Sequence, residues 1–471
     1  MGNKTIAVIG GGFCGMMTAV HLLKSDQPLN ITIINDGYPF GRGVAYGAHT
    51  DKYLLNVRAI NMSAFDDERF HFLDWLQQQP AYQNIPRNIL LNVYAPRKVY
   101  GNYLLQVWQQ AIKNKNTATT ITIIEKKAVD IKEQNDGVDI YLDDNKKIHA
   151  NSVVLATGNT APRHGFNQNK TFLKSNKYFA NPWTKECVSN VRTLKNILIV
   201  GNGLTMIDTV QGLLENGFKG KVYTISPNGF KLLPHKYNLM VYEKIVGELP
   251  EQYNLREIFM LVRTHIKSLT EIGIGAHLVI DALRPYTQKI WQSFSFDEKK
   301  YFVKKLGHAW TILRHRVPVH IYEMIQQLRM NGRMQTIAGK ITAITENADS
   351  VVVNYFNQTL QKEERIVVER IINCTGPEGD VRRSANELLR NLAASELIIP
   401  DALHLGVEAD AETGAVINSN GEKSERIFTT GGNLKGILWE NTAVPDIRVH
   451  VKKLALYLSA KMQQQAVFNM R

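Results

Sequence analysis

Cysteine is scarce in this chain. Only three cysteines occur among 471 residues, Cys14, Cys187 and Cys374, and they stand far apart in the sequence. An odd number of distant cysteines predicts neither a disulfide framework nor a thiolate metal site. A CxxC pair is also absent, and a disulfide reductase needs paired cysteines to pass electrons to its substrate. The sequence therefore excludes disulfide-reductase chemistry.

Long apolar runs are absent as well. No stretch reaches about 18 uninterrupted apolar residues, so no membrane-spanning helix and no membrane partner are predicted. The N-terminal apolar stretch from Thr5 to Leu23 contains four glycines and follows a single early lysine. This pattern is typical of a strand, a turn and a helix rather than of a signal peptide. We therefore expect a cytoplasmic location.

The sequence also lacks a dense basic block. Its net charge is +13, but the 56 basic residues are scattered among 43 acidic ones. This distribution favours anionic cofactors and a small-molecule substrate over nucleic acid. HExxH and GxSxG motifs are missing, and His and carboxylate residues show no metal-ligand spacing. Metallohydrolase and serine-hydrolase activities therefore have no support, and no metal is expected.

What the chain does contain is the βαβ pattern of a dinucleotide-binding fold, and this pattern occurs twice. The first copy runs through TIAVIG, a glycine turn, the helical pattern Met16–Lys24 and the β-rich run NITIIND. The second copy begins at Asn196 with NILIVG, continues through GNGLTMIDTVQGLLENG and ends in KVYTIS. The sequence therefore predicts an α/β protein with two Rossmann-like dinucleotide-binding units.

The remaining segments indicate how these units are arranged along the chain. Residues 241–331 are rich in Leu, Ile, His, Arg and Trp at helical spacing, which predicts a mostly helical insertion in the second unit. We expect the first dinucleotide-binding domain in residues 1–190 and 346–471, and the second in residues 191–240 and 332–345.

Gly10, Gly12 and Gly15 match the GxGxxG fingerprint directly after the first strand and at the start of a helix. The first glycine allows a tight turn, the second lets backbone approach a pyrophosphate, and the third permits close packing of helix on strand. The helix N-terminus attracts the anion. The bare pattern would also fit an ordinary glycine turn, but in this βαβ context it predicts a dinucleotide-binding turn.

The residue that binds the ribose is less clearly marked. A carboxylate is expected roughly 20 residues after the glycines, at the end of the second strand. That strand ends in Asn35, followed by Asp36. Asn35 has the expected register, but its amide lacks the charge. Asp36 either binds the ribose instead or begins the turn before Gly37, so both interpretations stay open.

The second fingerprint is incomplete. Gly201 and Gly203 are kept, Leu204 and Thr205 begin the helix, and Met206 replaces the third glycine. The backbone requirements nearest the phosphates are therefore retained, while the helix must pack more loosely. Two such units in one redox chain usually hold a flavin and its reductant, so a nicotinamide dinucleotide is the predicted ligand. The alternative is a degenerate unit that packs against the rest of the protein and binds no nucleotide.

The end of the following strand bears on which nicotinamide dinucleotide binds. Ser226 stands where an acid would otherwise bind a 2′-hydroxyl, and Lys231 and Lys236 follow closely. A missing acid with nearby positive charge favours NADPH over NADH. Turn lysines are often simply solvated, which is the alternative interpretation.

Longer motifs point to a particular family. They span almost the whole chain and comprise GRGVAY (41–46), LLNV (54–57), Met62-Ser63, NPW (181–183), GLTMID (203–208), RHR (314–316) and LWENTAVPDIR (438–448). With these motifs the chain resembles a bacterial family of FAD/NAD(P)-binding oxidoreductases, which is similar to the class B flavin monooxygenases and their amine N-hydroxylases. The resemblance implies FAD and NAD(P)H as cofactors and does not imply a substrate.

The stretch that joins GRGVAY to LLNV is expected at the flavin pocket. Its glycines let backbone pass close to a flat ring, and Arg42 can face the pyrophosphate. Further cofactor contacts are expected from Asn56, Met62 and Ser63. The alternative is a packed loop with a surface arginine.

Further expected contacts lie in turns that follow strands and in the C-terminal helix. Gly158 and Gly431 each follow a predicted strand, although related flavoproteins often have Gly-Asp where this chain has Gly432-Asn433. Thr442 and Ala443 begin a predicted helix. Its N-terminus would place partial positive charge near the flavin N1 and C2 carbonyl and so stabilise reduced, anionic flavin.

Arg314 and Arg316 follow Trp310 in the helical insertion, where we expect them on a helix. A charge run of this kind is usually a solvated basic face. The alternative is a clamp for a phosphate of NADP or for an acidic substrate, since guanidinium groups bind such anions bidentately.

The sequence and the resemblance together predict a FAD-dependent oxidoreductase reduced by NAD(P)H, and more narrowly a monooxygenase that hydroxylates a small polar substrate, for example at an amine nitrogen. The isoalloxazine carries the chemistry of such enzymes, so no catalytic triad is expected. The alternative is a non-catalytic FAD/NAD(P)-binding redox sensor or assembly partner. The departures from the usual pattern at Asn35, Met206 and the missing Gly-Asp keep that alternative open.

Overall fold

The computed structural model describes residues 3–47, 50, 52–164, 171–236 and 241–468, which form two compact units. Unit 1 contains the chain up to Thr160 and again from Glu378 onward, and unit 2 contains Ala161–Pro377. None of the helices in these ranges is long and apolar enough to cross a membrane.

Strands and helices are numbered along the chain. The first part of unit 1 contains β1 (Lys4–Ile9), α1 (Phe13–Leu22), β2 (Leu29–Ile34), α2 (Gly43–Tyr46), α3 (His71–Gln77), α4 (Arg87–Leu90), α5 (Arg97–Asn114), β3 (Thr120–Ile124), β4 (Ala128–Gln134), β5 (Gly137–Leu142), β6 (Lys147–Ala150) and β7 (Ser152–Leu155).

Unit 2 contains β8 (Tyr178–Phe179), β9 (Asn196–Val200), α6 (Leu204–Glu215), β10 (Lys221–Ser226), α7 (Lys244–Gly247), α8 (Leu255–Glu271), α9 (His277–Leu283), α10 (Thr287–Ser293), α11 (Phe296–Tyr301), α12 (Gly307–Arg314), α13 (Val319–Met330), β11 (Met334–Glu346), β12 (Val351–Asn357), β13 (Lys362–Val368) and β14 (Arg370–Asn373). Unit 1 then resumes with α14 (Glu387–Ala394), β15 (Ala415–Ile417), β16 (Lys423–Thr429) and α15 (Val444–Phe468).

The main sheet of unit 1 has the strand order β15-β16-β7-β1-β2-β3, and every neighbouring pair except β15–β16 is parallel. Parallel strands are covered on both faces and therefore have nearly continuous apolar sequences. In β1, Ile6 and Val8 pack into the core that contains α1, α5 and α15, whereas Ala7 and Ile9 pack into the core that contains β4–β6 and α14. The carboxyl ends of β16, β7, β1 and β2 consequently meet at one edge of this sheet.

The sheet of unit 2 has the order β13-β12-β11-β10-β9-β14-β8. Strands β11, β10, β9, β14 and β8 run parallel, while β12 and β13 continue from β11 as an antiparallel meander. Helices α7–α13 are inserted between β10 and β11. The predicted α/β fold with two Rossmann-like units and a mostly helical insertion is therefore confirmed.

The unit boundaries differ from those expected from the sequence. They fall after Thr160 and after Pro377, whereas the sequence placed domain changes after residues 190 and 345. The cause is pairing between distant strands: β14 pairs with β9, and β8 pairs with β14. These pairings bring residues 161–190 and 346–377 into unit 2.

Helix α1 lies very close to the turn that precedes it. An ideal Cβ built on Gly15 would stand 1.8 Å from Gly10 O and 3.2 Å from Val8 Cγ1. A Cβ on Gly12 would meet no atom closer than Gly43 Cα at 3.7 Å. Of these two glycines, only Gly15 is therefore required by the packing of the fold itself.

We expect Gly15→Ala to destabilise unit 1 by about 3 kcal/mol, because the added methyl group must displace backbone. Gly12→Ala is the matched control, and its apoprotein should stay within about 0.5 kcal/mol of the parent chain. Urea unfolding of the three apoproteins measures this difference. Equal stability of Gly15→Ala and Gly12→Ala would contradict the close packing of α1.

Candidate functional site

The first glycine turn connects β1 to α1 at the carboxyl edge of the unit 1 sheet. Gly10 has φ +107°, and an ideal Cβ there would stand 2.2 Å from Ala156 O. The Gly10 amide donates to Ile34 O at 2.8 Å. Strands β7 and β2 thus hold the turn from both sides, and only glycine fits at its first position.

The second glycine turn, between β9 and α6, has the same geometry. Gly201 has φ +114°, a Cβ on it would stand 2.3 Å from Cys374 O, and its amide donates to Ile225 O at 2.8 Å. Gly203 directly precedes α6 with φ −85° and ψ −167°, while Gly12 directly precedes α1 with φ −76° and ψ −165°. Met206 stands where the first unit has Gly15 and is buried. The turn therefore keeps its form although the third glycine is lost.

Both turns leave open space in front of their helices. No atom lies within 4 Å of a Cβ built on Gly203, and the nearest to one on Gly12 is Gly43 Cα. Leu204 and Thr205 then form the first turn of α6 and are half-buried. A helix N-terminus with unhindered backbone amides is the arrangement that binds a phosphate group.

The side chain of Asn35 forms hydrogen bonds within the protein. Its Oδ1 accepts a hydrogen bond from the Gly11 amide at 3.1 Å, and its Nδ2 donates to Tyr38 O at 2.8 Å. Asn35 is buried, whereas Asp36 is exposed directly after it. The side chain with the expected register therefore fixes the glycine turn, and the exposed acid Asp36 follows it.

The corresponding position in unit 2 has the reverse arrangement. Here the amide side chain, Asn202, lies in the turn, and its Nδ2 donates to Ser226 Oγ at 2.9 Å. Ser226 Oγ also accepts from the Gly229 amide at 3.2 Å. A hydroxyl has two acceptor lone pairs and one donor hydrogen. The Ser226 hydroxyl thus retains its hydrogen for a further acceptor.

Two further turns lie at the carboxyl edge of the unit 1 sheet. Gly158 follows β7 with φ +69°, and Gly431 follows β16 with φ +72°. A Cβ on Gly431 would stand 2.5 Å from Cys14 Sγ, which places this turn against the first turn of α1. Asn433, which stands where related flavoproteins often have Asp, donates from Nδ2 to Thr157 Oγ1 at 3.0 Å and to Thr429 Oγ1 at 3.0 Å. Its amide therefore links the β7 and β16 turns.

Helix α15 begins beside these turns. Thr442 is exposed and Ala443 is half-buried just before the helix. Within the helix, His450 Nδ1 and Thr430 Oγ1 share a hydrogen bond at 3.1 Å, and burial lowers the pKa of His450 to about 4. A neutral imidazole thus fixes α15 to the Gly431 turn without adding charge.

The loop candidates of unit 1 have different roles. Arg42 Nη2 donates to Asn102 Oδ1 at 2.9 Å, and its Nε is buried with no hydrogen-bond partner in the described part of the chain. Ser63 Oγ donates to Glu68 O at 2.7 Å, so its hydroxyl stabilises a local turn. Met62 is buried in the core and Asn56 is half-buried. Arg42 is therefore the loop residue with spare hydrogen-bonding capacity.

The arginines of the insertion do not form a solvated face, which corrects that interpretation. Arg314 ends α12 and is buried, and Arg316 lies beyond the helix and is also buried. Arg316 Nη2 is ion-paired with Asp281 of α9. An anion clamp would therefore have to compete with Asp281 for Arg316.

The adjoining segment carries the two lysines. The Val317 amide donates to Leu233 O at 3.0 Å, and Val317 O accepts from the His235 amide at 2.8 Å. Lys231 and Lys236 flank this pairing and are exposed. The structure therefore brings the two lysines and Arg316 into neighbouring segments.

Two residues of the site were not found from the sequence. Glu440 has φ +66°, the left-handed region that non-glycine residues rarely adopt, and Asn441 is fully buried beside it. Their only sequence signal was membership of the LWENTAVPDIR motif. Among the described residues, no group of three or more His, Cys, Asp or Glu side chains is arranged to hold a metal ion.

Comparison with known proteins agrees with this geometry. Residues 7–160 match the family model described as FAD-NAD(P)-binding. The uncharacterized protein YdhS of Escherichia coli (strain K12) is 24% identical over 225 residues, which is 45% of this chain. The match spans 39% of the length of that relative. The predicted family resemblance is thereby confirmed for the first dinucleotide-binding unit.

Two solved structures share the fold over nearly the whole chain. The ornithine N-hydroxylase of Kutzneria sp. 744, with reduced FAD, NADP+ and L-ornithine, has a TM-score of 0.68 and 13% identity, covering 98% of this chain and 100% of that one. The reduced ornithine hydroxylase PvdA of Pseudomonas aeruginosa has a TM-score of 0.66 and 13% identity, covering 98% and 99%. At this identity the likeness establishes the fold.

Proposed function

We propose that this chain is a FAD-dependent monooxygenase, reduced by NAD(P)H, that hydroxylates an amine nitrogen of a small polar substrate. The observation that carries the proposal is the duplicated turn: Gly10 and Gly201 are held by neighbouring strands in the same way, and each precedes an open helix N-terminus. The fold shared with the ornithine hydroxylases supports the narrower assignment to N-hydroxylation.

Unit 1 fits FAD. The space at Gly12 and the N-terminus of α1 suit its pyrophosphate, exposed Asp36 suits the adenosine ribose, and the Arg42 Nε has a hydrogen to donate to phosphate oxygen. The turns at Gly158 and Gly431 and the start of α15 lie along the same sheet edge. When bound, FAD supplies the redox chemistry, accepting hydride and passing electrons to oxygen. The role of this chain is to hold, orient and shield it.

Unit 2 fits a nicotinamide dinucleotide. Gly203 leaves space for a pyrophosphate, and the Ser226 hydroxyl has both lone pairs engaged, so it can donate but accepts no further bond. A phosphate oxygen only accepts, which matches that remaining hydrogen. Exposed Lys231 adds positive charge nearby. These features favour NADPH.

Thiol chemistry has no basis in the structure. Burial raises the pKa values of all three cysteines, Cys14, Cys187 and Cys374, to about 12. A thiol must ionise to act as a nucleophile or an electron carrier. The acceptor of electrons from the flavin is therefore oxygen in this proposal, and not a protein disulfide.

The test is turnover of FAD-loaded protein with NADPH, air and a panel of small amines that includes L-ornithine. We expect at least one amine to yield a hydroxylamine and to consume oxygen and NADPH in step with product. The Cys187→Ala/Cys374→Ala double variant should give the same yield per bound flavin. A flavin that NADPH cannot reduce would instead support the redox sensor. A reducible flavin without hydroxylamine from any amine would refute N-hydroxylation.

Cofactor preference gives a second test. The parent chain should react with NADPH about tenfold faster than with NADH, a difference of about 1.4 kcal/mol. Ser226→Asp should abolish or reverse this ratio, because a carboxylate repels the 2′-phosphate and accepts from a 2′-hydroxyl. Asn35→Asp, the equivalent change in unit 1, is the control and should leave the ratio unchanged. Anaerobic flavin reduction rates measure both, and an unaltered ratio in Ser226→Asp would contradict the assignment of this position.

A further inference from the structure

Asn441 has an unmatched hydrogen-bond acceptor in the interior of unit 1. Its side chain is fully buried, and its Nδ2 donates to Gly431 O at 3.2 Å. Its Oδ1 is sealed from solvent and has no hydrogen-bond partner among the described residues. A buried carbonyl oxygen left without a partner is unfavourable, and native proteins rarely keep one without compensation.

The orientation of this amide is fixed by its neighbours. Reversing it would place Oδ1 against Gly431 O, so that two acceptors would face each other. Gly431 itself is held at φ +72°, with its Cβ position against Cys14 of α1. Asn441 is therefore attached to the turn that borders the glycine fingerprint.

The backbone beside Asn441 is strained. Glu440 adopts φ +66°, and the Thr442 amide donates to Glu440 O at 2.6 Å across one residue. Left-handed non-glycine residues persist where the surrounding structure requires them and cluster at ligand-binding sites. The strained residue and the unmatched acceptor are adjacent in the chain.

The order of the sheet indicates which part of a dinucleotide lies near Asn441. The fingerprint follows β1, Asp36 follows β2, and the Gly431 turn follows β16 on the other side of β1. Strands β16 and β2 are three steps apart, which is about 14 Å at a strand spacing of about 4.8 Å. With the adenosine at Asp36 and the pyrophosphate at Gly12, the Gly431 turn borders the flavin half.

We propose that Asn441 Oδ1 accepts a hydrogen bond from the flavin half of FAD, and this rests on the proposed FAD site. The pyrophosphate is excluded as partner because its oxygens only accept. The available donors are the N3–H of the isoalloxazine and the hydroxyls of the ribityl chain. Asn441 is thus a cofactor-positioning residue that recognises the flavin rather than the nucleotide.

The test is titration of the apoprotein with FAD, N3-methyl-FAD and FAD analogues that each lack one ribityl hydroxyl, followed by flavin fluorescence. We expect Asn441→Ala to bind FAD about tenfold more weakly than the parent chain, as for loss of one well-formed hydrogen bond. In the parent chain, the affinity for one analogue should be about tenfold lower than the affinity for FAD. In Asn441→Ala, the affinities for the same analogue and for FAD should differ by less than twofold. Which analogue does so distinguishes the ring from the ribityl chain.

Asn441→Asp and Asn373→Ala complete the design. Asp keeps an acceptor oxygen at the same place, so it should preserve the discrimination between analogues, and its charge should lower the flavin midpoint potential. Asn373 is also fully buried, but its amide is satisfied by Arg163 O, Tyr178 Oη and the Thr375 amide in unit 2. Asn373→Ala should therefore lose stability without losing FAD affinity.

Unchanged FAD affinity in Asn441→Ala would overturn the proposal, and so would equal discrimination between analogues by Asn441→Ala and the parent chain. If Asn441→Ala does not fold, an unchanged flavin midpoint potential in Asn441→Asp overturns the proposal instead. A parent chain that binds no FAD would instead refute the proposed function, so the two failures are distinguishable.

Discussion

The structure depends on the close approach of a neighbouring strand to the first glycine of each nucleotide turn. Ala156 O lies only 2.2 Å from the position of a Cβ on Gly10, and Cys374 O lies only 2.3 Å from that of a Cβ on Gly201. This contact admits only glycine, fixes a left-handed turn directly after the central strand, and directs the following helix N-terminus to the sheet edge. The open space at Gly12 and Gly203, where a pyrophosphate can approach, follows from that constraint.

Much of this arrangement could be predicted from the sequence because the constraints are local. Glycine spacing, apolar strands and helical periodicity identified both βαβ units and the helical insertion. The partners of polar side chains could not be predicted in the same way, because they are set by how separate strands, turns and helices pack together. Asn35 has the register of a ribose ligand, but its side-chain amide already forms hydrogen bonds with the backbone of Gly11 and Tyr38. Arg316 was expected in a solvated basic face, yet it forms an ion pair with Asp281 of α9. The unit boundaries were displaced for the same reason, since β14 joins β9 across the whole insertion.

The two units differ where their proposed ligands differ. In unit 1 the strand-end side chain, Asn35, accepts a hydrogen bond from the Gly11 amide and donates one to Tyr38 O, and the exposed acid Asp36 follows it. In unit 2 the turn side chain, Asn202, engages Ser226 and leaves that hydroxyl as a donor. Met206 replaces the third glycine, yet the residue before α6 has nearly the same backbone angles as the residue before α1. The same turn is thus followed by an exposed acceptor, Asp36, in unit 1 and by a hydroxyl donor, Ser226, in unit 2. The departures from the fingerprint therefore do not require a degenerate, non-binding unit.

The central claim is that the Gly12 turn holds FAD and the Gly203 turn holds the nicotinamide nucleotide. Parallel measurement of bound flavin and of anaerobic flavin reduction by NADPH in Gly12→Leu and Gly203→Leu tests it most directly. A Cβ at Gly12 meets no atom closer than 3.7 Å and one at Gly203 meets none within 4 Å, so we expect both variants to fold. Gly12→Leu should lose bound FAD. Gly203→Leu should keep FAD with a normal spectrum, while NADPH reduces it at least about tenfold more slowly than in the parent chain, because the leucine side chain fills the space for the pyrophosphate. Retention of FAD by Gly12→Leu, or normal reduction of Gly203→Leu by NADPH, would contradict the account.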